Sequence, residues 1–118
     1  MDEELEQTSC QIIAAAGTAR SCYIEAIKRA EEGDFEGAEQ LIRQGKEAFT
    51  MAHDAHFGLI QKEAQGEKSG FALILMHAED QLMSAEAFGI LAQQFIGMEK
   101  RICSLEKEVA ELEETKAR

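Results

Sequence analysis

The sequence predicts an all-α fold, an up-down-up antiparallel bundle of three long helices. Three observations carry that expectation. The 118 residues contain no proline and no asparagine, and Ala, Glu, Gln, Leu and Lys, all good helix formers, are abundant. Along three stretches the apolar residues recur at alternating steps of three and four, the spacing that aligns one face of a helix. Glycines gather at two short breaks, at Gly33 and at Gly66 and Gly70, and no strand pattern competes. A chain of this length makes a single domain, residues 1–118.

The first helix is expected over about residues 2–31. Its stripe is Ile12, Ala16, Ala19, Tyr23, Ala26 and Ala30, with Leu5, Ile13 and Ile27 alongside. Gly33 suits the C-terminal cap, and Asp34 suits the N-cap of the next helix. The second helix covers about residues 35–64, with the stripe Ala38, Ile42, Gly45, Phe49, Ala52, His56 and Leu59. Gln65 to Gly70 form the second turn, in which Ser69 is a candidate cap. The third helix covers about residues 71–114, starting near Phe71 and running past Leu112, with a charged tail that frays.

The third helix carries the most informative row of the chain. It runs Ile74, His77, Gln81, Ser84, Phe88, Leu91, Phe95, Met98, Ile102, Leu105, Val109, Leu112. The apolar members are expected in a packed seam, and the row is polar only at His77, Gln81 and Ser84. Phe71 to Ala78 is apolar nearly all round, and a helix apolar on every side must be covered on every side. Two partner helices cover part of it, and the seam extends beyond their reach. Contact with another subunit follows. A straight helix drifts by ~20° per heptad, so the two ends of the seam face different neighbours.

Charge and cysteines exclude several classes. The net charge is −11, from 23 acidic and 12 basic residues, which argues against nucleic acid and against an anionic membrane surface as partner. No window is long and apolar enough to span a bilayer, so no direct membrane insertion is expected. The acidic start Met-Asp-Glu-Glu is no secretory signal, and a cytoplasmic location is expected. Cys10, Cys22 and Cys103 lack metal-ligand spacing and are expected reduced, buried or half-buried. His53 and His56 lack a third ligand and the HExxH pattern; His56 falls on the core stripe and reads as structural. Met51, Met76, Met83 and Met98 read as core packing.

The polar break holds the candidate chemistry. His77 has Asp80 at i+3, Gln81 at i+4 and Ser84 at i+7, all on or beside one face. Such a group can hold an imidazole in one tautomer with a free lone pair, a competent nucleophile toward phosphorus. No serine triad, Walker loop or carboxylate pair accompanies it, and a histidine that receives and hands on a phosphoryl group needs little more. If this face meets symmetry copies, the Asp80 carboxylates converge, and either some are protonated or a cation sits between them. Oxygen-only ligation favours magnesium or a similar hard ion.

The segment Leu75-Met76-His77-Ala78-Glu79-Asp80-Gln81-Leu82-Met83 resembles the active-site segment of the lactose/cellobiose-class IIA components of the bacterial phosphotransferase system, which typically reads His-Ala-Gln-Asp-His-Leu-Met. Gly17-Thr18-Ala19-Arg20-Ser21, Ala30 to Phe35 and Gln61 to Glu67 resemble the family's first helix and its two turns. The resemblance implies a three-helix subunit in a homotrimer. It implies that His77 is phosphorylated by the histidine-containing phosphocarrier protein and passes the group to a cysteine of the IIB component, which phosphorylates the sugar during transport through IIC. It further implies that Asp80 is the metal ligand, meeting its two symmetry mates and one Mg2+ per trimer at the threefold axis. Two departures stand out: Gln81 replaces the family's second histidine, and Glu79 replaces the usual glutamine.

Two other classes stay open on the residues alone. A two-component histidine phosphotransfer domain is also a helical bundle with one reactive histidine, but it usually carries Lys three residues later, where this chain has Asp80. A non-catalytic helical adaptor would use His77 only as a polar register key in an oligomer seam.

Overall fold

The structure, a computed structural model, describes residues 2–68, 70 and 72–117. It contains helices α1 (Glu3–Glu31), α2 (Phe35–Ala64) and α3 (Leu73–Ala117), and no strand among the described residues. The expected cap Ser69 and the expected start at Phe71 lie outside the described residues. At the C-terminus α3 is helical to Ala117, three residues past the expected limit of about 114.

The helix ends follow from local chemistry. Asp2 caps α1 by accepting from the Glu4 amide at 3.1 Å. Acidic residues fill its first turn and Lys28 and Arg29 its last, matching the helix dipole. At the end of α1 the Asp34 amide donates to the Arg29 carbonyl and the Gly33 amide to the Ala30 carbonyl, with Gly33 at φ 83°. The end of α2 repeats this pattern, Glu67 donating to Lys62 and Gly66, at φ 96°, to Glu63. Both are Schellman motifs, which satisfy otherwise orphaned carbonyls and favour glycine at the left-handed position. Asp34 then caps α2, accepting from the Gly37 amide at 3.0 Å. That hydrogen bond, together with Arg29 beside it, holds the Asp34 carboxyl below its ordinary range.

Contacts between helices fix the topology. Glu4 pairs with Lys62 and Tyr23 meets Gly45, so α1 and α2 run antiparallel. His56 meets Glu79 and Glu39 meets Lys100, so α2 and α3 are antiparallel too. Arg20 meets Gln81 and Tyr23 meets Gly89, so α1 and α3 are parallel. This is the expected up-down-up order. α1 is central and packs on both neighbours, whereas α2 and α3 touch each other least.

The α1 and α2 stripes read from the sequence form the core, all buried or half-buried. The α3 seam does not. The buried row of α3 is Ala78, Leu82, Ala85, Gly89, Ala92 and Ile96. Each of the six follows a seam position by one residue, which turns it about 100° around the helix. The bundle therefore takes Leu82, Ile96 and the small residues of α3, and the seam residues from Leu91 to Leu112 stay exposed, Leu105 at 55% and Leu112 at 69%. Eleven of the seventeen buried apolar side chains among the described residues are alanines. Helices with small facing residues approach closely, and the bulky apolar side chains go to the outside. Met51, Met76, Met83 and Met98, expected in the core, are exposed for the same reason. Of the cysteines, Cys22 and Cys103 are half-buried as expected, but Cys10 is exposed, on the outer side of α1.

The last buried position of α3 is Ile96, and Lys100, bound to Glu39 and lying over Phe35, marks the end of the bundle. The remaining turns, about 25 Å of helix at 1.5 Å per residue, project alone and give the molecule its long axis of 75 Å.

Candidate functional site

His77 is the fifth residue of α3 and is exposed. Its neighbour Ala78 is fully buried against the bundle, and the one-residue offset carries the imidazole onto the outer row. No side chain among the described residues hydrogen-bonds the ring. The ring is thus open to an incoming partner, at the N-terminal end of the unpartnered apolar row.

The three residues expected to hold the imidazole are placed differently. Gln81, one turn further on, accepts from Arg20 of α1, with Nη1 donating to Oε1 at 2.8 Å. Ser84 is half-buried and Asp80 exposed. Glu79, half-buried, turns toward α2 and meets His56 at 2.8 Å between Oε2 and Nε2. Its carboxylate is therefore engaged with an imidazole rather than lying free beside His77. His56 is a link between α2 and α3, in line with the structural role expected of it. His53 points elsewhere, its ring stacked near that of Phe57 with the planes 5° apart and the centroids at 6.5 Å.

The sequence gives Arg20 no role of its own. Its signals there are its place in the Gly17–Ser21 segment and its isolation as the one basic residue among the first 27, in an alanine-rich stretch. Its partner lies 61 residues away, a pairing that periodicity does not reveal.

Asp80 lies one turn beyond His77 and makes no ion pair among the described residues. Within one chain no group of three or more His, Cys, Asp or Glu comes together among the described residues. A single chain offers a cation one carboxylate without an ion pair here, that of Asp80.

A family described as the lactose/cellobiose-specific IIA subunit of the PTS system matches residues 7–100. The chain belongs to that family. The oligo-beta-mannoside-specific EIIA component of Bacillus subtilis is 42% identical over 95 residues, covering 80% of this chain and 86% of the relative. The crystal structure of the cellobiose-specific enzyme IIA from Bacillus anthracis superposes with a TM-score of 0.85 at 38% identity, covering 88% of this chain and 95% of that one. A third likeness is to the IIA(Chitobiose)–HPr complex, with a TM-score of 0.76, 31% identity, and coverage of 86% and 98%. This IIA chain is therefore a component of a cellobiose/lactose-type sugar phosphotransferase system. The family match ends at residue 100, where the bundle ends and the projecting part of α3 begins. No helix among the described residues is long and apolar enough to cross a membrane.

Proposed function

We propose that this IIA chain is a cytoplasmic phosphocarrier: His77 accepts a phosphoryl group from the histidine-containing phosphocarrier protein HPr and hands it to a cysteine of IIB during uptake of a β-linked disaccharide through IIC. The observation that carries this reading is the exposed, unengaged ring of His77 within the family segment His77-Ala78-Glu79-Asp80-Gln81. The HPr complex of a structural relative supports the first partner.

The chemistry balances on this chain's one ring. The lone pair of the free His77 nitrogen attacks phosphorus on the donor's phosphohistidine. An N–P bond forms at His77, the donor's N–P bond breaks, and its electron pair returns to the donor ring. Each imidazole keeps the proton on its other nitrogen. In the second step a cysteine thiolate forms an S–P bond and the His77 N–P bond breaks, leaving neutral His77. Incubation with phosphoenolpyruvate, enzyme I and HPr is expected to give an acid-labile, base-stable phosphate on the peptide holding His77. Mass mapping of the phosphate to any other peptide would sink the assignment.

The assembly reading is a homotrimer about the exposed row of α3. Ile102 and Val109 alternate with Leu105 and Leu112 at heptad spacing, and these side chains alone suit a parallel pair as well. The threefold form rests on the family resemblance and on Asp80. Beside the axis, Asp80 of each copy would supply oxygen donors of the kind Mg2+ prefers, and the ion would offset the mutual repulsion of the carboxylates. Its role is structural, and phosphoryl transfer does not pass through it. Asp80→Leu is then expected to keep three chain masses in light scattering. It is also expected to gain about 1–4 kcal/mol of stability, as when a buried ionic group is replaced by an apolar one, and to lose any response of the melting temperature to Mg2+. A melting temperature lower than wild type with the Mg2+ response intact would count against the axial placement.

A further inference from the structure

We propose that Arg20 is the cation that binds the phosphoryl group on His77, and that Gln81 is the positioning residue that aims it. This rests on the phosphocarrier reading of His77.

Three observations lead there. First, Arg20 reaches from the middle of α1 to Gln81 on α3, a 2.8 Å hydrogen bond in a half-buried setting. Gln81 lies one turn from His77, and side chains four apart on a helix are neighbours. The guanidinium is thus bonded to a side chain one helical turn from the residue that carries the reactive ring. Second, its charge is uncompensated. Arg29 faces Glu25 and Asp34, Lys62 faces Glu4, and Lys100 faces Glu39. Other basic side chains, such as Arg43 and Lys46, also make no ion pair among the described residues, but of those without one Arg20 alone is half-buried, between helices on a neutral amide, in a chain of net charge −11. Third, a guanidinium has five N–H donors in a fixed fork, suited to two phosphate oxygens at once, and the bond to Gln81 uses one. A carboxylate at position 81 would quench the charge. The amide oxygen of Gln81 orients the fork and leaves the charge whole.

When the N–P bond forms at His77, two negative charges arrive beside this fork. They would replace water around Arg20 with phosphoryl oxygens, a charge-assisted pairing in place before the transfer begins. No proton moves on Arg20. Of the two carboxylates between His77 and Gln81, Glu79 is held toward His56 and away from this pairing, and Asp80 is exposed and makes no ion pair among the described residues.

The test compares wild type, Arg20→Gln, Arg20→Lys and Gln81→Leu, each checked for helix content and assembly. Phosphorylation by phospho-HPr is followed by rapid quench. The pH titration of the phosphoryl 31P resonance and the guanidinium 15N resonance of Arg20 are recorded with and without phosphate. Arg20→Gln is expected to slow transfer about 10- to 100-fold and to raise the second ionisation of the phosphoryl group, since a neighbouring cation favours the dianion. Arg20→Lys should recover part of the rate, and Gln81→Leu should lose less than Arg20→Gln. In wild type the Arg20 resonance should shift on phosphorylation. If wild type takes no phosphate, the phosphocarrier reading falls and this inference with it. If wild type is phosphorylated but Arg20→Gln matches its rate and 31P titration, Arg20 alone is overturned. Should Arg20→Gln fail to fold, an Arg20 resonance unmoved by phosphorylation of wild type overturns it equally.

Discussion

His77→Gln abolishes the acid-labile phosphate: incorporation from phosphoenolpyruvate, enzyme I and HPr is expected to fall at least about 1,000-fold. Glutamine approximates histidine in polarity and reach and keeps its hydrogen-bonding capacity. Its amide nitrogen has no available lone pair, so no bond to phosphorus forms. The position is exposed and unengaged, and surface substitutions of that kind change stability by about 0.5 kcal/mol or less. The melting temperature and the assembly state should therefore stay at wild-type values. Loss of phosphate with no loss of fold identifies a nucleophile, because a structural role would move both together. Retention of wild-type phosphate would shift attention to His53 or His56, the two other histidines of the chain.

The second large effect concerns the wedge that sets the spacing of the helices. The Tyr23 ring, 3% exposed, lies between Gly45 of α2 and Gly89 of α3. A Cβ on Gly45 would stand 2.5 Å from Tyr23 Cε1, and one on Gly89 would stand 2.9 Å from Cε2 and Cζ. The ring cannot retreat from one glycine without closing on the other. Burial, then the neighbouring Cys22, pushes the Tyr23 hydroxyl above its ordinary pKa, which agrees with a dry position. Overpacking of this kind costs about 1–3 kcal/mol, and alanine returns up to about 1 kcal/mol of helix propensity. Gly45→Val removes that return and adds bulk, so a loss of about 3 kcal/mol is expected, with Gly89→Ala smaller. Gly97, with nothing near its Cβ direction, provides the control: Gly97→Ala should gain about 0.5–1 kcal/mol. Denaturant titrations at one protein concentration decide the matter, since coupling to assembly would otherwise move the midpoint. A Gly45→Val chain as stable as wild type would show that the helices separate freely.

Parts of the fold were plain in the residues. Gly33 and Asp34 close one helix and open the next by interactions spanning a few positions, so their roles could be read before any packing was known. The α1 stripe was legible because its small and apolar positions coincide. On α3 they do not coincide. The row of large residues stood out, yet the bundle buries the row next to it, because the facing side of α1 is lined largely with alanine and accepts alanine and glycine in return. The methionines were misplaced for the same reason. His77 was legible as a polar break in an apolar row, and the structure leaves it on the outside.

Periodicity and capping are local, and they determined three helices, the turn between the first two, the surplus apolar row of α3 and the histidine interrupting it. Which face turns inward depends on how closely two helices can approach, and that is a property of both surfaces together. The same holds for Arg20 beside Gln81, His56 beside Glu79, and Tyr23 between two glycines. Each joins residues far apart in the chain and brought together by the rotation of one helix against another, which only the tertiary structure decides.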